Sequence, residues 1–140
     1  MEYKYKYYFK PRLSDFDFYS IAHHSKFFCW FEEARVALFD NFPKYCVTIM
    51  NTYEMPVTNL GCKYIKKVNT MDELVISAKL KIDFDKPIVH FDYRLMDKNE
   101  RILYAKAYTE HVFLDSEHTM ILITPQEIKD FISEIVNTSF

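Results

Sequence analysis

Apolar and polar positions alternate through the first ten residues, where Tyr3, Tyr5, Tyr7 and Phe9 stand between Lys4, Lys6, Tyr8 and Lys10. A period of two gives an extended segment one aromatic and one mostly solvated face, so the chain opens with a strand. The stretch 14–23 has no clean period and mixes carboxylates with aromatics, which predicts a loop. From 24 to 41 the spacing changes to three and four residues: Phe27, Phe28, Phe31, Ala34, Leu38 and Phe42 recur, and Pro43 closes the run. This predicts one long helix. Further on, Leu74, Ile76, Ala78, Leu80, Ile82 and Phe84 alternate with Val75, Ser77, Lys79, Lys81, Asp83 and Asp85, a strand with one core face. Asp85-Lys86-Pro87 turns the chain, and Val89, Phe91, Tyr93 and Leu95 resume the alternation. A second turn at Asp97-Lys98-Asn99-Glu100 leads into a third antiparallel strand over 102–114. A strand over 57–66 is a weaker expectation, because its alternation breaks near Gly61. Thr124-Pro125-Gln126-Glu127 has the capping-box pattern with proline at the first helical position. Ile128, Phe131, Ile132 and Ile135 then form the apolar face of a short C-terminal helix.

There is no repeat, linker or low-complexity tract, so 1–140 reads as a single domain of the α+β class. A helix of about 17 residues is roughly 25 Å long. Its broad aromatic face calls for a curved antiparallel sheet wrapped around it.

Composition narrows the chemistry. Lysine and arginine number 18 against 20 aspartates and glutamates, a formal net charge of −2, which lacks the basic footprint of a nucleic-acid or anionic-lipid binder. Gly61 is the one glycine, which excludes phosphate-cradling and dinucleotide-binding loops. No apolar run reaches the roughly 18 to 20 residues of a membrane span. Cys29, Cys46 and Cys62 are odd in number, lack C-x-x-C spacing and follow no secretory signal, so a reducing, cytoplasmic setting is expected, with all three thiols as core filler.

The residues that could carry chemistry lie in Asp15-Phe16-Asp17-Phe18-Tyr19-Ser20-Ile21-Ala22-His23-His24 and in Phe31-Glu32-Glu33-Ala34-Arg35 on the helix. Asp17 could serve as a nucleophile or general base, or could merely turn the chain or cap the helix. Asp15 is better suited to loop hydrogen bonding, since no third ligand stands at a spacing that would make the pair a metal site. His23 and His24 likewise lack metal-ligand spacing, and His23 is expected to point elsewhere. Glu32 lies eight residues past His24, about 12 Å along a helix, too far to share a substrate carbonyl with the helix N-terminus. Glu32 and Arg35 are expected to pair with each other or across a subunit contact. Phe27, Phe28, Trp30 and Phe31 are expected in the core, with one or two of them open to lining an acyl channel. Lys66 and Lys67 are either a solvated pair or a contact for phosphates.

These segments resemble the signature of the hotdog-fold acyl-CoA thioesterases of the 4-hydroxybenzoyl-CoA thioesterase type. Asp15 and Asp17, His24, and Phe31, Glu32, Ala34 and Arg35 match at that family's spacing, and weaker similarity runs through Tyr64-Ile65-Lys66, Asp72-Glu73-Leu74 and the strand from Ala105 to Val112. Two departures stand out: Tyr19 and Ser20 stand where a glycine is usual, and Val68 where a proline is common.

The resemblance implies the hotdog fold and hydrolysis of an acyl-CoA, or of an acyl-carrier-protein thioester. Asp17 would be nucleophile or general base, and the backbone N–H of His24, more than its ring, would face the thioester oxygen. A helix N-terminus suits that task, because its free amides stabilise an oxyanion. Tyr19, Lys66 and Lys67 would contact substrate. Active sites between protomers imply a homodimer or tetramer, and no metal or other cofactor is expected beyond the CoA of the substrate. A hydratase or dehydratase on the same thioesters has no matching motif here. A non-catalytic acyl or small-molecule binding module on the same scaffold stays open.

Overall fold

The computed structural model describes residues 1–138. Five strands, β1 (Glu2–Phe9), β2 (Val57–Tyr64), β3 (Leu74–Ile82), β4 (Ile88–Asp97) and β5 (Leu103–Val112), form one sheet in the order β1-β3-β4-β5-β2, and every neighbouring pair is antiparallel. Three helices accompany it: α1 (His24–Phe39), α2 (Pro43–Thr52) and α3 (Gln126–Thr138). A short 3-10 turn, Leu13–Asp15, interrupts the loop expected over 14–23.

The concave face follows from the alternation. Leu74, Ile76, Ala78, Leu80 and Ile82 of β3, Val89, Phe91, Tyr93 and Leu95 of β4, and Ala105 and Ala107 of β5 are all buried. Against them α1 sets Phe27, Trp30, Phe31, Ala34, Leu38 and Phe39, a stripe at three- and four-residue spacing. Phe31 stacks on Tyr93 with ring centroids 4.7 Å apart, and Phe39 meets Phe91 edge-on at 5.8 Å. Each ring removed from water is worth about 2–3 kcal/mol. Sheet around helix, the expected arrangement, is what forms.

Several local expectations are corrected. Pro43 does not simply close the first helix; it opens a second one, α2, because the first helical position needs no amide donor. Phe42, α2 and α3 meet around Phe131, whose ring lies 5.6 Å from Phe42 and 6.2 Å from Tyr45. Phe84 lies beyond the end of β3 and is exposed, whereas Val75, expected on the solvated face, is fully buried between its register partners Tyr8 and Met96. The capping box at Thr124 does not form. Pro125 supplies the first accepting carbonyl, to the amides of Ile128 and Lys129, and the buried Thr124 hydroxyl has no partner among the described residues. Cys29 is exposed on α1 and fills no core, while Cys46 is half-buried, donates to the Phe39 carbonyl at 2.9 Å and has its thiol pushed up to about 11 by burial. Gly61 breaks the alternation of β2 for a packing reason: a Cβ there would stand 2.6 Å from a Tyr108 ring carbon.

Candidate active site

The segment before α1 folds into a small hairpin. The Asp17 N–H donates to the Ile21 carbonyl at 2.9 Å, Phe16 bridges Ala22, and the His23 N–H donates to the Asp15 carbonyl at 3.0 Å. Ser20 near its tip has φ 60°, the left-handed conformation that glycine adopts freely and other residues adopt at about 1–2 kcal/mol. The turn that a glycine would favour is therefore kept by a strained serine. Both ends of the hairpin are anchored. The Ala22 N–H donates to the Val68 carbonyl at 2.8 Å, and the buried Asp15 carboxylate accepts from the Arg12 N–H at 2.8 Å and from the Trp30 indole of α1 at 3.2 Å. Asp15 is thus a loop hydrogen-bonding residue.

Asp17 is exposed, and its Oδ1 accepts the amides of Tyr19 at 2.8 Å and Ile21 at 3.2 Å. This is the chain-turning role open to an aspartate. It also fixes the carboxylate, because both bonds fall on one oxygen and leave Oδ2 without a partner among the described residues.

The helix start singles out one amide. An α-helix opens with four N–H groups that no helical carbonyl reaches. Here the His23 N–H goes to Asp15, the Ser25 N–H to the His23 ring at 3.3 Å, and the Lys26 N–H to the His23 carbonyl at 2.9 Å. The His24 N–H is left with no partner among the described residues. His23 is therefore the N-cap, and its ring does not point elsewhere, lying 4.3 Å from that of His24. Asp17 pairs with Ile21, three residues before His24; that chain spans roughly 10 Å at most and the step across the hairpin adds about 5 Å, so the two backbones lie no more than roughly 15 Å apart.

A cleft of about 320 Å³ opens beside this helix start, lined by Ile21, Ala22, His24, Phe27, Tyr64, Ile65, Lys66, Lys67 and Val68. His24, Lys66 and Lys67 thus come together, and both lysines are exposed with no ion pair among the described residues. Asp17 and Tyr19 lie outside this lining. Tyr19 is 79% exposed and packs edge-on against Phe18 at 5.7 Å, at the hairpin tip. Tyr64 is the residue that sequence reasoning underweighted: its hydroxyl donates to the His24 carbonyl at 3.2 Å and its ring packs 5.1 Å from Phe27. Burial pushes its phenol up.

The expected Glu32–Arg35 pair is absent from the described residues. Arg35 instead donates from Nη1 to the Tyr93 hydroxyl at 3.0 Å, because three residues along α1 its side chain faces the sheet. Tyr93 continues to Thr109 at 2.8 Å, Thr109 to His111 Nε2 at 3.0 Å, and His111 Nδ1 to the Met55 carbonyl at 3.2 Å. Tyr93, Thr109 and His111 are at most 1% exposed. Burial pushes the His111 imidazole down to about 4.

Comparison with known proteins places this geometry among relatives. Residues 11–135 match the family described as the Thioesterase-like superfamily. Among solved structures the chain is similar to a 1,4-dihydroxy-2-naphthoyl-CoA thioesterase from Synechocystis, at 16% identity and a TM-score of 0.78 over 94% of this chain and 96% of that one. It is similar to a DHNA-CoA thioesterase from Staphylococcus aureus, at 16% identity and 0.76 over 96% and 91%. A hypothetical protein from Aquifex aeolicus is 26% identical, with a TM-score of 0.75 over 90% and 97%. None of the curated proteins matches the sequence. At these identities the two named thioesterases share the fold, which is the hotdog arrangement of an antiparallel sheet wrapped around a central helix.

Proposed function

The chain belongs to the thioesterase-like superfamily, and from that premise we propose that it hydrolyses an acyl-CoA thioester to the free acid and CoA. A carrier-protein thioester is the other carrier class to compare. The observation that carries this reading is the start of α1, where one unpartnered amide, that of His24, follows a hairpin whose Asp17 carboxylate is held by its own backbone.

The free Oδ2 of Asp17 either attacks the carbonyl carbon or takes a proton from the water that does. The carbonyl oxygen then gains negative charge, which the His24 N–H and the positive end of α1 stabilise; one such donor is worth roughly 3–4 kcal/mol. Collapse of the tetrahedral intermediate breaks the carbon–sulfur bond, and the thiolate leaves; water attack gives the free acid directly, whereas attack by Asp17 leaves a mixed anhydride that a water then hydrolyses to the free acid and the regenerated carboxylate. In this reading no metal or redox cofactor takes part. Lys66 and Lys67 meet the phosphates of the carrier, and Tyr19 meets substrate from the hairpin tip. The unpaired edge of β2, with Leu60 and Tyr64 exposed, supports assembly as a homodimer or tetramer with a neighbouring subunit completing the cleft.

Thiol release from short, long and aromatic acyl-CoAs, with Asp17→Asn measured alongside, tests the proposal. Asparagine keeps an oxygen for the Tyr19 and Ile21 amides but cannot act as base or nucleophile, so turnover should fall by about 10²–10⁴ while folding persists. Absence of turnover on every ester by a folded native protein would shift the reading to a non-catalytic binding module.

A further inference from the structure

A second cleft, of about 350 Å³, lies farther along α1 and is lined by Glu32, Arg35, Val36, Phe39, Asp40, Cys46, Met50, Met55 and His111. Arg35 is eleven residues beyond His24, about 16 Å along the helix, so within one chain this cleft is separate from the candidate reaction centre. We infer that it binds an apolar monocarboxylate, with the carboxylate on the Arg35 guanidinium and the apolar body against Val36, Phe39, Met50 and Met55.

The buried chain beneath Arg35 fixes what that guanidinium has left to offer. Arg35 can only donate, so the Tyr93 hydroxyl accepts from it at 3.0 Å and turns its own proton to Thr109. Thr109 then donates to His111 Nε2, and the Nδ1 proton of a neutral His111 goes to the Met55 carbonyl. Every proton runs one way and every buried group is satisfied. One of the five guanidinium N–H groups is used, and four have no partner among the described residues.

A half-buried cation without a counter-ion is costly, and a carboxylate gripped by two parallel N–H bonds offsets that cost. The neighbours select the ligand's charge. Glu32 and Asp40 line the same cleft without pairing with Arg35, and His111 stays neutral, so a single positive charge faces two negative ones. The two carboxylates oppose any anion, and a phosphate dianion about twice as strongly as a monocarboxylate, so the grip of Arg35 holds a singly charged ligand best. The wall opposite is apolar and the volume falls within the range of small-molecule sites. A free acid is also the product class of the proposed hydrolysis, but this inference does not rest on that reading.

Calorimetric titration of the protein with octanoate, its methyl ester and inorganic phosphate tests the site. Octanoate should bind saturably, the ester at least about tenfold more weakly, as expected when a charge-assisted hydrogen bond is lost, and phosphate should not bind. Arg35→Met should weaken octanoate by at least about the same factor. Should that variant not fold, Asp40→Asn carries the test: removing a rim carboxylate should tighten octanoate about two- to threefold. Equal binding of acid and ester, octanoate binding unchanged in a folded Arg35→Met, or no effect of Asp40→Asn would overturn the inference. So would octanoate failing to bind while Arg35→Met dissociates an oligomer, since a partner's carboxylate would then occupy the site. Asp17→Asn should bind octanoate as the native chain does. Arg35-dependent binding without turnover would leave this site standing and remove the proposed reaction, and turnover without octanoate binding would do the reverse.

Discussion

The two ends of α1 carry polar groups in opposite ways. At its start the candidate chemistry rests on main chain: an unpartnered His24 amide and an exposed Asp17 carboxylate oriented by the amides of Tyr19 and Ile21. Toward its other end, the half-buried Arg35 leads into a buried side-chain relay of Tyr93, Thr109 and His111, running from α1 through β4 and β5 to the carbonyl of Met55, two residues before β2. The first arrangement is exposed and local, and its fold is tolerant of side-chain change. The second is buried, long-range and intolerant of it. Substitutions at the start of α1 should therefore change rate without stability, and those in the relay the reverse.

The largest stability effect should come from His111. Its folded pKa of about 4 lies below the ordinary 6.5, so as pH falls the unfolded chain takes up a proton that the folded one refuses. The neutral imidazole exacts no penalty above pH 6.5. Between 6.5 and 4 stability falls as pH falls, by on the order of 3 kcal/mol. Urea unfolding at several pH values should show this loss in the native chain, and His111→Gln should lose that much less across the same window. Parallel curves would break the contrast. Thr109→Val should come next: it strands the Tyr93 proton and His111 Nε2, at about 1–3 kcal/mol, while turnover per folded molecule stays within a few-fold. A loss of rate comparable to that of Asp17→Asn would mean that the relay belongs to the reaction. The smallest effect should be that of Ser20→Gly, which relieves the φ of 60° and should raise stability by about 1 kcal/mol. A fall in stability would show that the serine side chain holds the hairpin.

The same contrast explains what was legible in the sequence. Strict alternation marked β1, β3 and β4, and the turn at Asp97 to Glu100 was readable because Asp97 accepts the amides of Arg101 and Ile102, both at 2.7 Å. The three- and four-residue stripe marked α1 and α3. The motif around Asp17 and His24 was readable because its geometry is made by neighbours in the chain. Arg35 lies 58 residues from Tyr93 and His111 lies 56 from Met55, so nothing local announced the relay; a threonine and a histidine two apart on an apolar strand were the available hint. Pro43 was ambiguous, since proline both ends and begins helices. Val75 looked solvated because burial by Tyr8 and Met96 depends on strand register.

The amide of His24, and not its ring, is the group proposed to serve the reaction. His24→Pro and His24→Ala separate the two. Position 24 is the first helical residue, where proline is tolerated, and His23 before it is already extended at φ −64° and ψ 135°, as a residue preceding proline must be. Both variants should fold. In the thiol-release assay His24→Ala should keep activity within a few-fold, whereas His24→Pro should lose about 10²–10³ in kcat. Equal activity in the two variants, or loss in His24→Ala matching that in His24→Pro, would contradict the claim.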